Sequence, residues 1–110
     1  MSDQEFNRRA ETAMESLKKR LYAAEEDVDF EVEMKNGVLN VLFEEPPATF
    51  VITPNGSAGQ IWISALSKSF KLDWSEIEQN FVLEKTGESL KKLVARLMNE
   101  QLGEEIVQLG

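Results

Sequence analysis

Val28-Asp29-Phe30-Glu31-Val32-Glu33-Met34-Lys35-Asn36-Gly37-Val38-Leu39-Asn40-Val41-Leu42-Phe43 is the stretch that decides the fold. Val28, Phe30, Val32 and Met34 alternate with Asp29, Glu31 and Glu33, the period-two pattern of a strand with one buried and one wet face. Asn36-Gly37 tolerates the positive φ values of a type I′ turn, and Leu39, Val41 and Phe43 then resume the apolar alternation. A β-hairpin is predicted here, and with it an antiparallel sheet whose apolar face needs a cover.

Candidate covers lie at both ends of the chain. Over residues 4 to 22, Phe6, Ala10, Ala13, Met14, Leu17 and Leu21 recur every three or four positions and predict a helix with one apolar stripe. Asp3 is the candidate N-cap, and Asp3 and Glu5 at the start with Lys18, Lys19 and Arg20 towards the end complement the helix dipole. The closing helix is expected over about Ser89 to Leu102, with Leu90, Leu93, Val94 and Leu97 on its apolar face, Thr86 or Glu88 near its start and Gly103 ending it. Between the helices, Glu45-Pro46-Pro47 ends the second strand because proline cannot donate to a ladder. Ala48 to Thr53, Gln60 to Ser67, Phe70 to Trp74 and Asn80 to Glu84 are further strands, punctuated by turn-rich pieces such as Pro54-Asn55-Gly56-Ser57. In the last residues, Ile106, Val107 and Leu109 are expected to cover the gap between the two helices. The predicted class is α+β: a two-layer αβ sandwich, its N- and C-terminal helices packed on one face of a mainly antiparallel sheet of about five to six strands.

Length agrees with one domain over residues 1–110, since a domain typically holds about 100 to 150 residues. An apolar fraction of 42% suffices for a core, and 20 acidic against 12 basic side chains leave a net charge of -8. That balance argues against nucleic-acid binding, which rests on clustered Lys and Arg, and points instead to cations or basic protein surfaces as partners. Without Cys the chain has no disulfide, thiol nucleophile or thiolate metal site. Without His it lacks the commonest general base and imidazole ligand, so any bound metal is held by oxygen. No signal peptide, transit peptide or spanning segment is read in the sequence, and a cytoplasmic, membrane-free protein is the expectation.

Glu25-Glu26-Asp27-Val28-Asp29-Phe30-Glu31-Val32-Glu33 places six carboxylates in nine residues with no base. On a strand, Asp27, Asp29, Glu31 and Glu33 are expected to share one face at a repeat of about 6.5–7 Å. Like charges so spaced repel unless a cation neutralises them; equally, a charged edge strand blocks sheet-to-sheet association. A metal site built this way is shallow, hydrated and weak, and its oxygen ligands suit calcium, magnesium, manganese or ferric iron alike. An EF-hand is excluded, because Val32 and Val38 stand where that loop needs glycine and a bidentate Glu. In Gln60-Ile61-Trp62-Ile63-Ser64 the isoleucines share one face and Gln60 and Trp62 the other; if the isoleucines face the helices, Trp62 points outward, either as an anchor for a protein contact or packed against neighbouring strand side chains. Glu11 and Glu15 form an i, i+4 pair on the outer face of the first helix. Phosphate-cradling glycine loops, HExxH and GxSxG are absent.

The order of these pieces resembles the frataxin family, including its bacterial CyaY branch. The resemblance is carried by SDQEFNRRAE from Ser2, DVDFEVE from Asp27 running into NGVLNV, GQIWIS from Gly59, FKLDW from Phe70 and NFVLEKTGESLKKLV from Asn80. It implies an αβ sandwich, weak and reversible iron binding (Fe2+ or Fe3+) on an acidic ridge, and docking to the cysteine desulfurase and scaffold protein of iron-sulfur cluster assembly. The family has been described as an iron donor, a ferrous-iron buffer and a regulator of the desulfurase. Carried over, the ridge corresponds to Glu25, Glu26, Asp27, Asp29, Glu31 and Glu33, with Glu11 and Glu15 as outer members. The partner-facing sheet corresponds to Gln60, Trp62 and Lys71. Departures are Lys18, Lys19, Tyr22 and Ala23 where many relatives carry further acids, Asn7 where relatives often have histidine, and the loop from Thr53 to Gly59. The function expected is a non-enzymatic iron-binding accessory protein, weak ferroxidase activity aside, and a monomer unless iron drives oligomers. Its compartment is then the bacterial cytoplasm, or the mitochondrial matrix for a processed eukaryotic form. The competing reading is an acidic interaction module that regulates a basic partner, with incidental metal binding.

Overall fold

The computed structural model describes all residues from Met1 to Gly110. Helix α1 runs from Asp3 to Glu25 and buries Phe6, Ala10, Met14, Leu17 and Leu21. Its cap is Ser2, not Asp3: the extended Ser2 backbone brings Oγ 3.1 Å from the Glu5 N–H, and Asp3 becomes the first helical residue. The helix also outlasts its expected end near residue 22, because its last turn, centred on Ala23 and Ala24, is favourable to helix. Lys18, Lys19 and Arg20 therefore precede the last turn, which contains no base. The end is closed by the Asp27 and Val28 N–H groups, both donating to the Ala24 carbonyl.

Six strands follow: β1 (Glu31–Lys35), β2 (Val38–Glu44), β3 (Pro47–Asn55), β4 (Gln60–Ala65), β5 (Lys68–Ser75) and β6 (Asn80–Val82). They form one antiparallel meander in chain order. Asn36 and Gly37 have φ of 53° and 79° and make the expected two-residue turn between the paired Lys35 and Val38. A second turn of this kind was not visible in the sequence. Leu66 and Ser67 both have positive φ between the paired Ala65 and Lys68, so the strand expected to reach Ser67 stops at Ala65. Neither residue type favours that conformation, which is why no turn signal marked it.

Helix α2 (Leu90–Leu102) is capped by Ser89 and ended by Gly103, whose φ of 71° is the left-handed conformation glycine adopts without penalty. Both helices lie on one sheet face, against Leu39, Val41, Phe43, Phe50, Ile52, Ile61, Ile63, Leu72 and Phe81. All 24 buried residues are apolar and form one cluster, so every titratable group reaches solvent. Val107 and Leu109 join that cluster as expected, whereas Ile106 stays exposed. The tail is held by Asn99, whose Oδ1 accepts from the Ile106 and Val107 N–H groups and whose Nδ2 donates to the Val107 carbonyl. Arg20 Nε adds a bond to the Leu109 carbonyl.

The approach to α2 is braced by a fork: Arg96 donates to both Glu88 oxygens at 2.7 and 2.9 Å and to Glu100 at 3.1 Å. Hydrogen bonding to Arg96 holds the Glu88 carboxyl below its ordinary 4.5, and the same contact raises Arg96. A depressed carboxylate stabilises the fold above its unfolded pKa and loses that contribution as pH falls through the folded value. Arg96→Met should therefore cost about 0.5–1 kcal/mol at neutral pH. In urea titrations its deficit relative to the parent chain should hold down to about pH 5 and shrink towards pH 3. A deficit that does not vary with pH would show that the fork contributes through packing alone.

Candidate functional site

The acidic segment wraps from the end of α1 onto the edge strand β1. Glu25 lies in the last turn of α1 and Glu26 caps it, so neither belongs to the strand. Asp27 and Asp29 sit in the connection, where the Phe30 N–H bonds to the Val28 carbonyl, and only Glu31 and Glu33 share the outer face of β1. The expectation of four carboxylates along one strand face is thus corrected. The alternation is genuine on the apolar side, where Phe30 is buried and Val32 and Met34 pack on the core. It begins before the ladder does, because β2 is paired only from Glu31 onward.

One member of the segment is structural. Glu25 is half-buried, and its Oε2 accepts from the Val32 N–H at 2.9 Å, tying the helix end to the first strand. Glu26, Asp27, Asp29, Glu31 and Glu33 are exposed. None of the six takes part in the five ion pairs of the molecule. Glu31 and Glu33, two positions apart on a strand and hence about 6.5–7 Å, repel by roughly 0.6 kcal/mol in water. No three carboxylates converge tightly enough to hold one ion. Cation binding here would act through summed field and shared water, or after side chains lean together.

Glu11 and Glu15 lie elsewhere. Glu15 is paired to Lys18 at 3.0 Å, and both acids border a shallow depression with Arg8 and Lys19. Glu15 is ten residues before Glu25, about 15 Å along the helix axis. The structure therefore separates the two expected outer members from the segment at 25–33.

Gln60, Trp62 and Lys71 do come together, on the sheet face away from the helices. Trp62 pairs across the ladder with Thr53 and Lys71, and Gln60 with Asn55 and Asp73. Trp62 Nε1 donates to Gln60 Oε1 at 2.8 Å, and Gln60 Nε2 donates to Asp73 Oδ1 at 2.9 Å. Lys71 Nζ stands 4.9 Å from the Trp62 ring centroid, a cation–π contact. The half-buried indole is thus fixed on both sides, presenting a rigid aromatic surface. Asp73 completes this cluster and was missed; its alternation with Lys71 in FKLDW is the signal that placed both on one face. No helix of the molecule is long and apolar enough to cross a membrane.

A frataxin-like domain model matches residues 1–104 of the chain. An iron-sulfur cluster assembly protein CyaY from Azotobacter vinelandii is 35% identical over 83 residues, covering 74% of each chain. The CyaY of Thioalkalivibrio sulfidiphilus is 26% identical over 106 residues, covering 96% of this chain and 98% of its own. Among solved structures, a frataxin from Psychromonas ingrahamii aligns with a TM-score of 0.84 over 100% of this chain and 99% of its own, at 16% identity. At that identity the structural likeness speaks for the fold.

The geometry around Trp62 makes a direct prediction. Gln60→Ala should cost about 0.5–1.5 kcal/mol or less and free the indole N–H, whose NMR signal should shift and exchange faster. The Trp74 indole, bonded to Glu76 at 3.1 Å, should not change. Unaltered exchange at Trp62 would show that the Gln60 bond does not hold the ring.

Proposed function

We propose that this chain, which belongs to the frataxin family, is a non-enzymatic accessory protein of iron-sulfur cluster assembly that binds iron weakly through residues 25–33. One observation carries the reading: six carboxylates without a single basic partner bracket the junction of α1 and β1. Oxygen-only ligands suit hard cations, and five of the six side chains are free to rearrange around one. With all acids at the surface and an apolar interior, the chain offers iron a place to be held and released.

The same segment would attract a basic surface, within a reach set by the Debye length of about 8 Å at physiological salt. The proposed partners are the cysteine desulfurase, met by the acidic segment, and the scaffold protein, met by the outer sheet face at Gln60, Trp62 and Lys71. A rigid aromatic flanked by a cation is the kind of anchor that carries protein contacts. The matched relatives are bacterial, and the proposed setting is the bacterial cytoplasm, with the chain a monomer in the absence of iron.

A second reading keeps the docking and makes the metal incidental, favoured by the absence of any converged group of three carboxylates. Salt separates the two, because docking through charge weakens with ionic strength while inner-sphere coordination is much less sensitive. Anaerobic titration with Fe2+, and separately with Fe3+, should selectively broaden backbone NMR signals of residues 25–33 and leave those of 60–74 sharp. Asp29→Lys with Glu31→Lys should abolish both the broadening and retention by the desulfurase. Uniform or absent broadening contradicts the metal role, and retention unaffected by charge reversal contradicts the docking role.

A further inference from the structure

A groove of about 410 Å³ opens between the N-terminal half of α1, the start of α2 and the β5–β6 turn. Arg8, Arg9 and Lys91 line it together with the side chains of Thr12, Ser16 and Asn80, over a floor that includes the buried Leu90. No carboxylate lines it, whereas each of the other four principal depressions carries at least one Asp or Glu. In a chain of net charge -8, this concave wall carries three cations and no acid.

Its donors are available. Arg8 and Lys91 take part in none of the five ion pairs and have no side-chain hydrogen bond, and the stem of Lys91 lies against Gly110 at the end of the chain. Asn80 Oδ1 is occupied by the Phe81 N–H, which leaves its NH2 as the free end. Arg9 is braced: its guanidinium lies 4.4 Å from the Trp74 ring centroid and 3.4 Å from both Glu5 and Glu76, while Arg8, Thr12 and Ser16 also border the neighbouring depression that holds Glu11 and Glu15. Leu90 and Lys91 are also the first residues of α2, so the positive end of a 13-residue helix faces the same space. Guanidinium, ammonium, hydroxyl and first-turn N–H groups around one hollow match the tetrahedral, multiply charged oxygens of phosphate.

We propose that this groove binds a small phosphate-bearing anion, held by Arg8, Lys91 and the first turn of α2, with Arg9 braced as the fixed wall. It is remote from the acidic segment: Thr12 precedes Glu25 by 13 residues, about 20 Å along α1. The site therefore stands or falls independently of iron binding.

Titrating the full chain with inorganic pyrophosphate, against sodium chloride at matched ionic strength, tests it by backbone NMR. Signals of residues 8–16, 80 and 90–92 should move saturably with pyrophosphate and remain still with chloride. Arg8→Gln with Lys91→Gln should weaken the affinity by about tenfold or more, while Lys68→Gln with Lys85→Gln, on another face, should leave it unchanged. The replaced side chains lie on the surface, and an otherwise superimposable spectrum verifies that each variant folds. Shifts reproduced by chloride, shifts spread equally over Lys68, Lys71 and Lys85, or binding undiminished in the groove variant would overturn the proposal.

Discussion

A sheet has two faces, and this chain has two helices of suitable length, both needed on the same side. The burial of Leu17, Leu21, Leu93 and Leu97 in one cluster with Ile52, Ile61, Leu72 and Phe81, all essentially inaccessible, is the contact on which everything else depends. Apolar area removed from water stabilises by about 25 cal/mol per Å², and nearly all of that gain is concentrated in one interlayer. The other sheet face must then live in water. The same constraint leaves β1 as an exposed edge, where charges on Glu31 and Glu33 discourage pairing with another sheet. Acids that protect the edge are therefore also the acids in a position to meet a cation or a basic partner.

Much of this was readable because the signals are local. The Asn36-Gly37 hairpin, the stripe from Phe6 to Leu21 and the alternation in Gln60–Ser64 each depend on residues within a few positions of one another. The frataxin resemblance, carried by those same pieces in order, agrees with the matched domain. Errors arose where local pattern and tertiary geometry part. Asp27 and Asp29 continue the alternation of β1 without a partner strand beside them, so they look like strand and are not. Leu66 and Ser67 adopt positive φ because Ala65 and Lys68 are held in register by the ladder, not because their own chemistry asks for it. Asp73, and the meeting of Arg8 with Lys91 across 83 positions, depend on which elements become neighbours, and no short window contains that information.

The charge of the chain is correspondingly uneven. Residues 25–33 contribute -6 of the net -8, whereas Arg8, Arg9 and Lys91 gather along one groove. Both surfaces share α1 as a spine, with Glu25 fastening its far end to β1 through Val32. That bond sets where the acidic connection leaves the helix, so the exposed carboxylates at 26, 27 and 29 project from an anchored hinge point instead of a free loop.

Desulfurase turnover and cluster formation, measured with and without the protein across a range of iron concentrations, test the central claim most directly. The account predicts that the parent chain changes the rate in an iron-dependent way, and that Asp29→Lys with Glu31→Lys returns it to the protein-free value. Equal effects of the two proteins, or no effect of the parent chain at any iron concentration, would contradict it.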